Sequence, residues 1–219
     1  MLPTKTRFLR LLELQDILNA KIHPQWRSQN YPFYRATLKE CSELTDHCAW
    51  KWWSDTQTNL AQVQLEVVDI LHTGMSMMLQ EHSLDTAADM LVKSFSTEQL
   101  VSPYLEKPEK IMIATEGLIL DVLKTHKFPL SRFWGLVAVT DLSFESLYVK
   151  YIGKNVLNHF RQDHGYSKTD AKYIKIWDGR EDNEHLTDVL GLLDPNSENF
   201  EKDIYDQLEH IYLNLSPPN

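Results

Sequence analysis

The chain reads as all-α, a helical bundle, and three observations say so. It holds only 7 glycines in 219 residues. Its apolar residues recur at the three- and four-residue steps of a helix instead of alternating as in a strand. Prolines and serines interrupt that pattern at the joins, where helices stop. A hydrophobic content of 42% with 11% aromatics suits a folded protein with a sizeable core, and a single domain over residues 1–219 is expected.

A first helix is predicted over residues 5–20, where Leu9, Leu12, Leu14, Ile17 and Leu18 form a broad apolar face that His23-Pro24 ends. A second is predicted over 31–53 and a third over 56–79, with Ser54-Asp55 as capping groups between them. Further helices are predicted over 83–95, 108–125, 144–164, 183–193 and 197–213, with Pro103, Pro108, Pro129 and Pro195 at their joins. Residues 133–139 are β-branched enough to suggest a strand, but no partner strand is offered nearby, so they are assigned to a helix. Residues 167–181 have little periodicity, several cations and Gly179, the profile of a mobile loop that closes over a ligand.

A formal net charge of -9 and a pI near 5.4 argue against a nucleic-acid binder or an anionic-membrane binder, which would carry a basic excess. The basic residues Lys5, Arg7 and Arg10 precede an apolar stretch that Glu13 and Asp16 break, so no secretory segment is expected. Cys41 and Cys48 lie on one predicted helix, about 10 Å apart by helical rise and beyond disulfide reach. Reduced thiols and a cytoplasmic location are the expectation.

Chemistry enters through two carboxylate pairs, Glu40 with Glu43 and Glu66 with Asp69. Each pair is three residues apart, so each projects from one face of its helix. On the third helix Gln62, Glu66, Asp69, Thr73, Ser76 and Gln80 form one narrow polar line, while Val63, Leu65, Val67, Val68, Ile70, Leu71, Met75, Met77 and Met78 cover the rest. A helix so apolar is buried, and carboxylates carried inside need a cation or a metal. The second helix offers a matching line through Ala36, Glu40, Glu43 and His47, and hard oxygen donors favour Mg²⁺ or Mn²⁺. Neither pair has a Lys or Arg four residues C-terminal, and Lys39 is expected to point elsewhere. A di-iron bundle wants Glu-x-x-His on two helices; Asp69 and His72 imitate one half, with no counterpart on the early helices.

Between residues 150 and 180 seven cations face three carboxylates in a chain that is acidic overall. Lys154, Asn158 and Arg161 share one helical face, an ammonium, an amide and a guanidinium suited to phosphate oxygens, and Tyr166 follows Gly165. Metal-binding acids with phosphate-binding bases are what nucleoside triphosphate hydrolysis requires.

These residues resemble the all-α, dimeric deoxyuridine triphosphatases (dUTPases), within the all-α nucleoside triphosphate pyrophosphatase superfamily. The superfamily pattern Glu-x-x-Glu, spacer, Glu-x-x-Asp is met by Glu40, Glu43, Glu66 and Asp69. The narrower resemblance rests on Leu14-Gln15-Asp16-Ile17-Leu18-Asn19, Tyr34-Arg35-Ala36, Trp50-Lys51-Trp52-Trp53 and Asp69-Ile70-Leu71-His72. It continues through Gly153-Lys154-Asn155-Val156-Leu157-Asn158, Phe160-Arg161-Gln162-Asp163-His164-Gly165-Tyr166 and Trp177-Asp178-Gly179-Arg180-Glu181-Asp182-Asn183. Thr73 departs from it, standing where an aromatic would follow the histidine.

The resemblance implies a homodimer that hydrolyses dUTP, and dUDP, to dUMP with Mg²⁺, Mn²⁺ substituting. It implies a metal shell of Glu40, Glu43, Glu66 and Asp69, with Glu40 or Glu43 activating water. It implies a base pocket of Gln15, Asn19, Trp53 and His72, and sugar or phosphate contacts from Lys51, Lys154, Asn158, Arg161, Tyr166, Lys172 and Lys175. Uracil presents one N–H between two carbonyls, an edge that carboxamides such as Gln15 and Asn19 can read. Of Trp50, Trp52 and Trp53, one is expected on the ligand and the others in packing. A pyrophosphatase for another nucleotide such as dCTP, or a catalytically silent helical dimer, are the competing readings.

Overall fold

The computed structural model describes residues 2–166 and 173–215. Helical periodicity is realised along most of that length, in α1 (Lys5–Ile22), α2 (Phe33–Asp46), α3 (Leu60–Glu81), α4 (Leu84–Ser94), α5 (Lys107–Thr125), α6 (Leu130–Val139), α7 (Phe144–Asp163), α8 (Asp182–Leu192) and α9 (Phe200–Leu213). A 3₁₀ turn (Trp26–Ser28) follows α1, and a two-residue hairpin, β1 (Ile176–Trp177) with β2 (Arg180–Glu181), precedes α8. The chain forms two compact units, Met1–Tyr148 and Val149–Asn219.

In the first unit α3 is the axis, touching α1, α2, α4 and α6. Its composition dictates this: Val63, Leu65, Val67, Val68, Ile70, Leu71 and Met75 are fully buried, so no face of the helix is left to water except the narrow polar line. Asn59 caps it, its side chain accepting from the Gln62 N–H at 3.3 Å; the expected cap at Ser54-Asp55 is four to five residues too early. An aromatic cluster fills the side toward α1 and α6, where the Phe8 ring lies 6.0 Å from Trp134 and 5.2 Å from Phe144. Residues 133–139 are helical, as assigned, within α6.

The second helix stops at Asp46, well short of Trp53. Hydrogen bonding explains the early stop. The Trp50 indole N–H takes the Thr45 carbonyl at 2.8 Å, an acceptor that a continuing helix would give to the Ala49 N–H. Ala49 instead donates to Thr58 Oγ1 at 3.0 Å, and Asn59 N–H to the His47 carbonyl at 2.9 Å closes a loop over residues 47–59.

The second unit contains most of α7, with the hairpin, α8 and α9. Residues 173–181 are more ordered than the sequence suggests: Ile176 pairs with Glu181 and Trp177 with Arg180, antiparallel, around Asp178 and Gly179 at φ 46 and φ 82. Two left-handed residues in a two-residue hairpin loop is the Asp-Gly type I′ turn. Its product is a buried Trp177, packed with Phe160, Tyr173 and Tyr212 at 5.3 to 6.3 Å between ring centroids. The expected loop over 167–172 lies outside the described residues.

Close approach of α3 to the residues before α6 requires Gly74, because a β-carbon there would lie only 2.4–2.5 Å from carbons of the Phe128 ring. Gly74→Ala should therefore lower stability by about 1–3 kcal/mol through overpacking. Urea denaturation checks this, and Phe128→Ala introduced beside it should show coupling, the pair destabilising by less than the sum of the single changes.

Candidate active site

Facing lines on α2 and α3 bring the first carboxylates together. Oxygen atoms of Glu40, Glu43 and Glu66 all lie within 4.8 Å of one another, with Glu66 buried at 5% exposure. Asp69, half-buried one turn along α3, joins them electrostatically. Glu40 is pushed up to about 8, first by burial and then by the negative charge of Asp69, with Glu43 adding both charge and a shared hydrogen bond. Four acids in a partly dehydrated space repel one another, which adds to the effect of burial in favouring the protonated form of Glu40.

Two basic residues flank it. Lys39 does not point elsewhere: its ammonium bonds Glu43 and lies 3.9 Å from Glu40. The usual helical ion pair thus forms from the N-terminal side, with Lys39 four residues before Glu43. His47 Nε2 stands 3.8 Å from Glu66 Oε1. The donor set suits a hard divalent ion: three or more carboxylate oxygens converge, and a cation would relieve the repulsion that now raises Glu40.

One turn further along α3, a second polar group crosses to α1. Gln15, Asn19, His72 and Ser76 are all buried. Gln15 Nε2 donates to Asn19 Oδ1 at 3.1 Å and to Ser76 Oγ at 3.0 Å, Asn19 Nδ2 donates to Ser76 Oγ at 2.9 Å, and Gln15 Oε1 lies 2.6 Å from His72 Nδ1. Three of the four expected base-pocket residues are thus joined, with Ser76 as their centre. Ser76 stood in the polar line of α3 without a role, and only the crossing of α1 reveals one. Thr73, the departure from the family pattern, hydrogen-bonds Thr37 of α2 at 3.0 Å.

Trp53 is not in that group. It is 58% exposed on the 47–59 loop, and its ring neighbours are Trp50 and Trp52 at 5.4 and 5.3 Å. None of the three indoles packs in the core of this chain. Lys51 is held by Asp46 at 2.7 Å.

The basic residues lie in the second unit. Arg161 grips Asp182 through two bonds, Nε to Oδ2 and Nη2 to Oδ1, each 2.8 Å, and Asn183 Oδ1 accepts from Lys154 at 2.6 Å and Arg161 at 3.2 Å. Asn158 Oδ1 accepts from Arg161 Nη1 at 3.2 Å, and the Arg161 guanidinium lies 5.7 Å from the Tyr166 ring. Burial by itself would raise Asp182, yet the Arg161 bonds and charge, the Tyr173 hydroxyl and the Lys154 charge hold it below the usual carboxylate range. The hairpin makes this possible, since it delivers Asp182 and Asn183 to the start of α8. Lys175 is exposed and 3.6 Å from Glu181, and Lys172 lies outside the described residues.

Comparison with curated proteins gives no match. A family model described as dUTPase matches residues 7–166, which takes in both carboxylate pairs, the Gln15–His72 group and all of α7. With well over half its length matched and its helices in accord, the chain belongs to the dUTPase family, and its activity is the hydrolysis of dUTP as a dUTP diphosphatase.

Proposed function

We propose that this dUTPase works with Mg²⁺ held by Glu40, Glu43, Glu66 and Asp69, releases dUMP and pyrophosphate from dUTP, and accepts dUDP with release of phosphate. One observation carries the reading: carboxylate oxygens of Glu40, Glu43 and Glu66, from two helices, converge within 4.8 Å of one another, and burial with the nearby charge of Asp69 raises Glu40 to about 8. When bound, the ion would supply Lewis acidity toward phosphate oxygens and a more acidic water.

The chain's own groups do the rest. With a cation beside it to favour the ionised form, Glu40 or Glu43 would accept the proton of the attacking water, and the hydrogen bond between the two lets the pair share it. Lys39, bonded to Glu43, offsets part of the charge that this step moves. Gln15, Asn19 and His72 form the base pocket, joined by Trp53 from its loop. Lys51, Lys154, Asn158, Arg161, Tyr166, Lys172 and Lys175 serve the sugar and phosphates; supporting this, Arg161 and Lys154 share one face of α7 with their donors held in place by Asp182 and Asn183. The buried free thiols of Cys41 and Cys48 suit a reducing cytoplasm, and a homodimer follows the family resemblance.

Glu43→Gln should cut turnover of dUTP by about 10²-fold or more while the far-ultraviolet circular dichroism stays helical. Turnover at the wild-type rate in that variant would remove the proposed centre. Pyrophosphate release measured across dUTP, dCTP, dTTP and UTP should favour dUTP, and chelation of divalent ions should abolish it.

Stability should carry the same signature. In metal-free protein Glu40 binds its proton more tightly when folded, near 8, than at the ordinary 4.5. The folded chain therefore holds the extra proton between these values, and the contribution of Glu40 falls as pH rises from 4.5 to 8. Mg²⁺ should accordingly raise the melting temperature more at pH 8 than at pH 5, where a proton competes. Glu40→Gln should flatten that difference; a larger Mg²⁺ shift at pH 5 would contradict it.

A further inference from the structure

We propose that Ser76 is a positioning residue that sets uracil selectivity, acting through Gln15 on the tautomer of His72; this rests on the base-pocket reading above. Ser76 is fully buried, and its hydroxyl is saturated. Its proton goes to the His72 carbonyl at 3.0 Å, one turn back in α3. Its lone pairs receive N–H bonds from Gln15 at 3.0 Å and Asn19 at 2.9 Å, which is all that one hydroxyl can do.

That saturation has a direction. With its proton committed to a carbonyl, Ser76 offers only acceptors to α1, so each carboxamide must turn its nitrogen, not its oxygen, toward it. Gln15 then has its oxygen left for His72, 2.6 Å away. A carboxamide oxygen accepts and cannot donate, so His72 Nδ1 carries the proton. In the neutral ring Nε2 is therefore an acceptor. Asn19 is fixed by the same hydroxyl and by Gln15, with its Nδ2 carrying a second N–H.

The outcome is a donor and acceptor pattern written one bond at a time from a serine that touches no substrate. An acceptor at Nε2, an atom buried in this structure, matches the N3–H of uracil in a pocket that opens to admit the base. The same acceptor opposes the N3 lone pair of cytosine, which presents no hydrogen there. Pockets that read a base by hydrogen bonding discriminate strongly, because the wrong base leaves buried groups unpaired. Without the hydroxyl, Gln15 is free to rotate its amide by half a turn, His72 can protonate at either nitrogen, and the pattern loses its sign.

The test uses the full-length protein. Wild-type His72, observed by ¹⁵N NMR, should be the Nδ1-protonated neutral tautomer, and the Nε2-protonated one would overturn the proposal without any variant. Ser76→Ala should lower the ratio of kcat/KM for dUTP over dCTP by about tenfold or more, raising KM for dUTP more than it lowers kcat, and should shift His72 to a mixture of tautomers. Ser76→Thr, which keeps the hydroxyl, should restore both. A helical Ser76→Ala protein with undiminished selectivity overturns the relay. His72→Ala separates the two levels: if it loses selectivity while Ser76→Ala keeps it, the pocket stands and the relay falls, and if neither variant loses it, the pocket reading falls as well.

Discussion

Electrostatic repulsion among carboxylates that share a partly dehydrated space is the constraint on which the first unit turns. Burying α3 is favourable because nearly every side chain on it is apolar, about 25 cal/mol for each Å² removed from water. The same burial carries Glu66 inside and holds Asp69 half out of water beside Glu40 and Glu43. The helix cannot be turned to release the acids without exposing Leu65, Ile70 or Leu71. The fold thus holds a charge problem in place, and a proton on Glu40 or a divalent cation is the way to settle it.

Much of this was legible in the residues. The α3 stripe is a pattern of period 3.6 with few exceptions, so burial and the inward carboxylates followed from composition alone. What escaped was whatever depends on a hydrogen bond between distant residues. The end of α2 is decided by one indole N–H, not by helix propensity, and Trp50-Lys51-Trp52-Trp53 gave no warning of it. Lys39 reaches forward to Glu43, an ion pair from the N-terminal side that the search for a cation four residues C-terminal to each acid does not meet. The hairpin at Asp178-Gly179 carried its own signal, an Asp-Gly pair beside an aromatic, masked by the surrounding lysines. Ser76 sat in plain view on the polar line, but nothing local tells a serine on a stripe from a serine at the hub of a network.

The two units handle buried charge differently. Around Glu40 the like charges are left in conflict. Around Asp182 the conflict is resolved, with the two Arg161 bonds, the Tyr173 hydroxyl and the nearby Lys154 charge making the ionised form the stable one. Tyr173 is raised in turn, chiefly by its own burial and then by that carboxylate. Such networks hold donors at fixed angles, so Arg161 and Lys154 are kept in one orientation by Asp182 and Asn183.

The tryptophans divide cleanly by environment. Trp26, Trp134 and Trp177 are sealed from water, at 2% exposure or less, while Trp50, Trp52 and Trp53 stand at 41%, 89% and 58% on one short loop. Intrinsic fluorescence therefore comes from two populations, a blue-shifted one reporting the interior and a red-shifted one open to iodide, and the second is a built-in optical probe of residues 47–59.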